Sequence, residues 1–148
     1  MKELGMMRDF VESYPKWDQG CLMYIDYLED APGISGLYPV GREEVARRGD
    51  VLGNVYVDCK LRFGLYRVTH SDEDSGKYAA WLLEFQEWVE RQSALGLTPK
   101  FGDVPLRERI RAEKGRLTRD RGGRTGLYVV ELTAEFTKIY EVNDNGEN

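Results

Sequence analysis

Two segments of the chain alternate apolar and polar residues with a period of two, the spacing of a strand with one buried face. The first runs from Val55 to about Thr69, and the second runs from Tyr128 to Thr137. The segment Cys21–Leu28 is rich in strand-forming residues and predicts an earlier strand. Since one-sided strands belong to a sheet that is covered on one face, the pattern favours a mainly antiparallel sheet.

Two other segments place their apolar residues at helical spacing. In residues 2–14 one arc of the helix is apolar and Pro15 marks the end. The residues of that arc are Leu4, Met7, Phe10, Val11 and Tyr14. The second helix begins near Ser71, where acidic residues suit a helix N-terminus, and Gly96 stands where a C-cap glycine is expected. Its apolar face, which we interpret as the core face against the sheet, carries Tyr78, Trp81, Leu82, Phe85, Trp88 and Val89.

The remaining segments have weaker patterns. Residues 29–39 contain turn formers and predict a short strand near Leu37, whereas the charged residues 41–50 predict a loop or a single helical turn. Another strand is predicted at 109–117, followed by a hairpin connection at 118–126. Regular alternation along that strand would place Leu117 on the same face as Arg109 and Arg111.

Together these elements predict an α+β fold, in which a mixed, mainly antiparallel sheet has one face covered by an N-terminal helix and a long central helix. The chain of 148 residues fits a single domain, which we place at 1–142 with a disordered C-terminal tail at 143–148. No apolar run approaches the roughly 18 residues that span a bilayer. We therefore expect no membrane partner.

Residues that could support catalysis or metal binding are few. The single histidine, His70, is best interpreted as a solvated turn residue, because nothing near it resembles a nucleophile motif. Cys21 and Cys59 fall on apolar strand faces and are expected to be buried free thiols in a reducing environment. The acidic cluster 72–74 lies where a helix N-terminus favours negative charge. We expect no enzyme activity, no cofactor and no bound metal.

Charge is divided unevenly along the chain. The net charge of −5 argues against a general nucleic-acid coat, but residues 97–126 alone carry a net charge of +5 and the rest carries −10. This division suggests either a local anionic partner or association between unlike faces of two copies, and a solvated basic hairpin is the third interpretation. The candidate contact residues are Arg107, Arg109, Arg111, Arg116, Arg119, Arg121 and Arg124.

Four short motifs carry a resemblance to a known family. In chain order they are Asp50-Val-Leu-Gly-Asn54, Phe85-Gln-Glu-Trp-Val89, Pro99-Lys-Phe-Gly102 and Leu127-Tyr-Val-Val-Glu-Leu132. This combination, spread over residues 25–140, resembles the minor capsid proteins of tailed phages and prophages, which are similar to the tail terminators of long-tailed phages. The resemblance implies that Phe85, Trp88 and Pro99 are scaffold residues, and it implies no active site.

The resemblance also implies a role. The chain would be a virion subunit that forms a ring, commonly a hexamer, at the head–tail junction, and it would lie in the bacterial host cytoplasm during assembly. Its partners would be other copies of itself, tail-tube and head-connector proteins, and the DNA that passes through the lumen. Two other functions stay open at this point: a small nucleic-acid-binding module that uses residues 97–126, and a small enzyme or regulatory protein of a mobile element.

Overall fold

The computed structural model describes residues 2–17, 22–25, 34–69, 71–120 and 126–142. Within these ranges the elements are α1 (Lys2–Glu12), β1 (Leu22–Ile25), β2 (Ile34–Gly49), β3 (Val55–Thr69), α2 (Ser71–Ala94), a 3-10 turn (Pro105–Arg107), β4 (Arg109–Asp120) and β5 (Gly126–Tyr140). The strand order is β1-β2-β3-β5-β4; β1 is parallel to β2, and the other neighbouring strands are antiparallel. The predicted α+β fold with a mixed, mainly antiparallel sheet is confirmed.

The core lies between one face of the sheet and the two helices. The alternating apolar residues of β3 and β5 are buried, and so are the predicted apolar residues of α1. Aromatic rings join the two helices: the ring of Tyr14 lies 5.3 Å from that of Phe85 and 5.2 Å from that of Trp88. Cys59 is a buried free thiol, as predicted, whereas Cys21 and His70 lie outside the described residues. We call the opposite face of the sheet the outer face.

The C-terminus of α2 follows the prediction for Gly96. The Gly96 amide donates to the carbonyl of Ser93 at 3.2 Å, and the Leu97 amide donates to the carbonyl of Gln92 at 2.9 Å. This pair of bonds with a glycine at positive φ is a Schellman motif, which satisfies carbonyls that the helix leaves unpaired. The side chains of residues 71–78, including the predicted N-terminal cap and Tyr78, lie outside the described part of the chain.

Strand β2 corrects the prediction for residues 34–50. We expected turns with a short strand near Leu37, followed by a charged loop or a single helical turn. Residues 34–49 instead form one strand of 16 residues. It pairs with β3 from Ser35 to Gly49, with register shifts after Pro39 and Glu44. The charged part of β2, residues 41–49, was not predicted as a strand because both of its faces are exposed. An exposed strand requires no alternation of apolar residues.

Strand β4 corrects two further expectations. It extends to Asp120, so residues 118–120 belong to the strand, and residues 121–125 lie outside the described part. A register shift between Glu113 and Arg116, with Lys114 at a φ of 59°, changes the alternation. Arg116 therefore stands opposite Val129, and Leu117 stands opposite Tyr128, whose side chain is buried. The face expected to carry Leu117 carries Arg116 instead.

Candidate interface on the outer sheet face

The structure brings four of the seven candidate arginines to one surface. Arg109, Arg111 and Arg116 occupy outer-face positions of β4, and Arg107 reaches the same face from the 3-10 turn. All four are exposed. Arg121, Arg124 and the side chain of Arg119 lie outside the described residues. The basic segment thus places a group of guanidinium groups at one side of the sheet.

Two of these four arginines are paired with carboxylates. Arg111 Nη2 lies 3.2 Å from Glu135 Oε2, on the neighbouring strand β5. Arg107 Nη1 lies 3.7 Å from Asp58 Oδ1, on β3. Ion pairs between exposed groups contribute little to stability, about 0–1 kcal/mol each. These two arginines are nevertheless partly neutralised and offer less charge to an outside anion.

Arg109 and Arg116 are held differently. Arg109 Nη1 donates to the carbonyl of Leu106 at 3.5 Å, and Arg116 Nη1 donates to the carbonyl of Lys114 at 2.7 Å. Among the described residues, neither guanidinium lies within ion-pair distance of a carboxylate. Backbone carbonyls orient these side chains without cancelling their charge, so Arg109 and Arg116 are the members of the basic group best suited to an anionic partner.

Acidic and basic groups alternate across the rest of the outer face. Arg62 pairs with Glu43 on one side and lies 3.9 Å from Glu131 on the other, and Glu131 also lies 4.0 Å from Lys114 Nζ. These contacts cross from β2 through β3 and β5 to β4. Positive and negative side chains therefore alternate over this surface, and it carries no continuous basic stripe among the described residues.

Asp58 is the most connected acid of this face. Thr137 Oγ1 donates to its Oδ1 at 2.6 Å, and Arg48 Nη1 donates to its Oδ2 at 2.6 Å. The hydrogen bonds from Thr137 and Arg48, together with the charge of Arg107, hold the pKa of this carboxyl below its usual range. Asp58 therefore joins β2, β5 and the 3-10 turn as a charged group.

The motif Asp50-Val-Leu-Gly-Asn54 forms the turn between β2 and β3. The Asp50 carboxylate accepts hydrogen bonds from the amides of Leu52 and Asn54 at 2.9 and 3.0 Å and from the Tyr56 hydroxyl at 3.2 Å. Burial alone would raise the pKa of this carboxyl, but the hydrogen bonds together lower it. Gly53 has a φ of +92°, which favours glycine, so each defining residue of the motif has a structural task.

The motif Pro99-Lys-Phe-Gly102 forms a loop that docks against β5. Phe101 packs its ring 5.8 Å from that of Phe136, and the buried Glu108 carboxylate accepts from the amides of Phe101 and Gly102 at 3.1 and 2.7 Å. Burial raises the pKa of Glu108, and the two amide bonds oppose that rise. A Cβ at Gly102 would lie 2.4 Å from the carbonyl oxygen of Thr137, so the close approach requires glycine.

The acidic partners of the arginines were not identified from sequence. Asp58, Glu131 and Glu135 stand at polar positions of β3 and β5 that the alternation correctly assigns to one face. Which arginine each acid meets depends on the register between strands, and a single sequence does not specify that register. The polar residues at every second position of these strands were the signal in the sequence that indicated a charged surface.

Comparison with known proteins leaves the family open. A scan against models of known families found no match to the chain, and a search of curated proteins also found none. Within the described ranges, histidine, cysteine and acidic side chains form no group of three that could hold a metal ion. Likewise, the described helices include none that is both long and apolar enough to cross a bilayer.

Proposed function

We propose that this chain is a structural subunit of a tailed phage or prophage virion, of the tail terminator or minor capsid kind, and that it assembles as a ring at the head–tail junction. Its partners in this role are other copies of the chain, the tail-tube protein and the head connector, and DNA passes through the lumen. The protein would lie in the virion, and in the bacterial host cytoplasm during assembly. This role requires no catalytic group.

The observation that carries the proposal is that the motifs behind the resemblance define the scaffold. Asp50 and Gly53 shape the turn before β3. The side chain of Phe85, on α2, is fully buried. Phe101 and Gly102 hold the loop against β5. Residues that a whole family needs for its fold are expected at such positions. A resemblance resting on them supports a shared scaffold and, with it, a shared role.

The distribution of charge gives further support. The β4 side of the outer face carries Arg109 and Arg116, which have no ion pair among the described residues, whereas exposed positions of α2 carry Glu84, Glu87 and Glu90. In a ring of identical subunits, each contact joins one surface to a different surface of the next copy. Unlike charge on two surfaces of one subunit favours that head-to-tail arrangement over association of like faces.

Electron microscopy of the purified chain tests the proposal, alone and mixed with the tail-tube protein of the same phage or prophage. We expect closed rings, either in solution or at the ends of tail tubes. The variant Arg111→Glu should weaken ring formation because it reverses charge on the outer face, and Lys2→Glu, an exposed position on α1 away from both surfaces, is the matched reversal elsewhere. A chain that forms no closed ring with or without tail tubes would contradict the proposal.

A second candidate function, nucleic-acid binding through residues 97–126, is favoured by one observation. Arg109 and Arg116 stand on the same face and have no carboxylate partner among the described residues. A phosphate backbone would satisfy both, and binding would weaken steeply as salt rises. A mobility-shift titration at low salt separates the two functions: binding lost on Arg109→Ala and Arg116→Ala but kept on Arg91→Ala supports this candidate, and absence of any shift removes it.

A further inference from the structure

Within the part of the chain that the structure describes, the edge of the sheet formed by β2 is open along most of its length. Among the described residues, β1 pairs with β2 only from Ile34 to Leu37, so residues 39–49 have a neighbouring strand on one side alone. All of these residues are exposed. An edge strand presents unpaired N–H and C=O groups that can pair with another strand. We call residues 39–49 the open edge.

The open edge carries a self-complementary run of charge. Its central residues are Glu43-Glu44-Val45-Ala46-Arg47-Arg48. When two copies are placed antiparallel about a two-fold axis between Val45 and Ala46, Glu43 stands opposite Arg48 of the second copy. In the same register Glu44 stands opposite Arg47. Each copy therefore meets its partner with four charge pairs of opposite sign.

The register shift after Glu44 makes this pairing geometrically consistent. Residues opposite each other across a two-fold edge must point to the same face of the joined sheet. Glu43 and Arg48 pair in register with Lys60 and Tyr56 of β3, which both belong to the outer face. In a regular strand, residues five apart would point to opposite faces, and the extra residue Val45 restores the match.

Other registers are less favourable. An antiparallel register centred on Val45 or on Ala46 brings residues of different faces opposite one another, such as Arg42, which pairs with the buried Leu61, and Arg48, which pairs with Tyr56 of the outer face. A parallel arrangement in register brings Glu43 opposite Glu43. Like charges directly opposite in a sheet are destabilising. The facing of the side chains and their charge together select the antiparallel register that is centred between Val45 and Ala46, where the half-exposed Val45 faces Ala46 of the second copy.

The other edge of the sheet is partly covered at the N-terminal end of β4, near Ile110 and Ala112. Gln86 Nε2 of α2 donates to the carbonyl of Ala112 at 3.2 Å, and Ser93 Oγ accepts from the amide of Ile110 at 3.1 Å. Helix α2 thus satisfies one amide and one carbonyl of β4 that a further strand would otherwise need. A second open edge is the partner of matching shape and charge.

We propose that the open edge pairs antiparallel with the open edge of a second copy of this chain, forming a two-fold dimer with one continuous sheet. This pairing goes beyond the proposed ring. A ring uses head-to-tail contacts, whereas the two-fold pair uses the same surface twice and is a state of the unassembled subunit.

Charge exchange between Glu44 and Arg47 tests the pair. In the monomer these side chains bond to each other at 2.8 and 3.1 Å and have no other ion pair among the described residues, so substitution leaves the remaining network in place. Residue 44 of each copy faces residue 47 of the other copy. Either Glu44→Arg or Arg47→Glu therefore places two like charges opposite each other at both of these positions in the dimer. We expect either variant to weaken dimerisation at least about tenfold in sedimentation equilibrium, while circular dichroism stays unchanged.

Two combinations should restore the dimer. An equimolar mixture of the two variants forms the mixed pair, because each arginine then faces a glutamate, and the double variant E44R/R47E again pairs with itself. A wild-type protein that stays monomeric at concentrations up to about 1 mM would overturn the proposal. A dimer that is unaffected by either single reversal would overturn it equally, since its contact would then lie elsewhere.

Discussion

The sheet ends in two edges that are built differently. On the β4 side, the side chains of Gln86 and Ser93 bond to the edge strand from α2, and the loop at Asp103 continues the cover along β5 through its amide, 2.7 Å from the Thr137 carbonyl oxygen. On the β2 side, residues 39–49 are exposed and are held by β3 alone among the described residues. One edge is thus covered by the chain itself at Ile110, Ala112 and Thr137, whereas residues 39–49 of the other edge have no such cover among the described residues.

The two sides of the sheet are therefore stabilised by different interactions. The covered side owes its stability to burial of apolar area, which is worth about 25 cal/mol for each Å² removed from water. The open side is held by backbone pairing and by exposed ion pairs such as Arg48 with Asp58, and such pairs contribute little individually. Substitutions should therefore act strongly on the fold at the covered side and mainly on association at the open side.

The largest effect is expected from Phe85→Ala. The ring of Phe85 is fully buried, stacks 5.4 Å from that of Trp81 and anchors α2 over the sheet. Loss of the ring should lower the free energy of unfolding by about 3–5 kcal/mol in urea denaturation. Because α2 also covers the β4 edge, we expect increased aggregation as well.

Leu83→Ala is the control on the same helix. Its side chain is 70% exposed, so the free energy of unfolding should change by no more than about 0.5 kcal/mol. A loss at Phe85 as small as that at Leu83 would show that α2 does not anchor the covered edge.

A smaller effect is expected from Gly102→Ala. The added methyl would meet the Thr137 carbonyl oxygen at 2.4 Å, and backbone cannot move aside as a flexible side chain can. We expect a loss of about 3 kcal/mol, measured by thermal or urea unfolding. Gly5→Ala is the matched substitution in α1, where a Cβ meets nothing within 4 Å, and it should stabilise the protein by about 0.5–1 kcal/mol. Equal effects at the two glycines would refute the docking argument.

The sequence predicted the covered side well and the open side poorly, for a physical reason. Phe63 and Leu132 are buried on one face only, so β3 and β5 show the alternation that identifies a strand. Glu43 and Arg47 are exposed and experience no such constraint, so the sequence of their segment predicted a loop or a single helical turn instead of a strand. The outer-face arginines were identified from composition, but their acidic partners depend on the register and on a bulge at Lys114 that no local pattern announces.

The next effect tests how α2 covers the β4 edge. Ser93→Ala removes the acceptor of the Ile110 amide, and Ile110 is almost fully buried. A buried donor left without a partner should cost about 1–2 kcal/mol in urea unfolding. Amide exchange at Ile110 should accelerate, whereas exchange along the open edge should not. Ser93→Thr keeps the hydroxyl and should retain most of the stability; equal loss in both variants would point to packing instead.

The smallest expected effect concerns the open side, where Asp58 should make the free energy of unfolding depend on pH. The folded protein holds the pKa of Asp58 below its value in the unfolded chain, mainly through Thr137 and Arg48, so the folded state favours the ionised form. The stabilisation is therefore present above about pH 4, the pKa of an unfolded aspartate, and is lost as the pH falls through the lower folded pKa. Asp58→Asn should lower the free energy of unfolding by no more than about 1 kcal/mol at pH 7 and by less as the solution becomes acidic.

A variant that already carries Arg48→Gln shows which partner of Asp58 supplies this stabilisation. If the ion pair across β2 and β3 supplies it, Asp58→Asn should cost less when Arg48 is already replaced, and the two changes should be non-additive in a double-mutant cycle. Fully additive changes would assign the stabilisation to the Thr137 hydroxyl, which donates to Asp58, and to the charge of Arg107. The open edge would then be held by its backbone pairing with β3 rather than by the ion pair of Arg48 with Asp58.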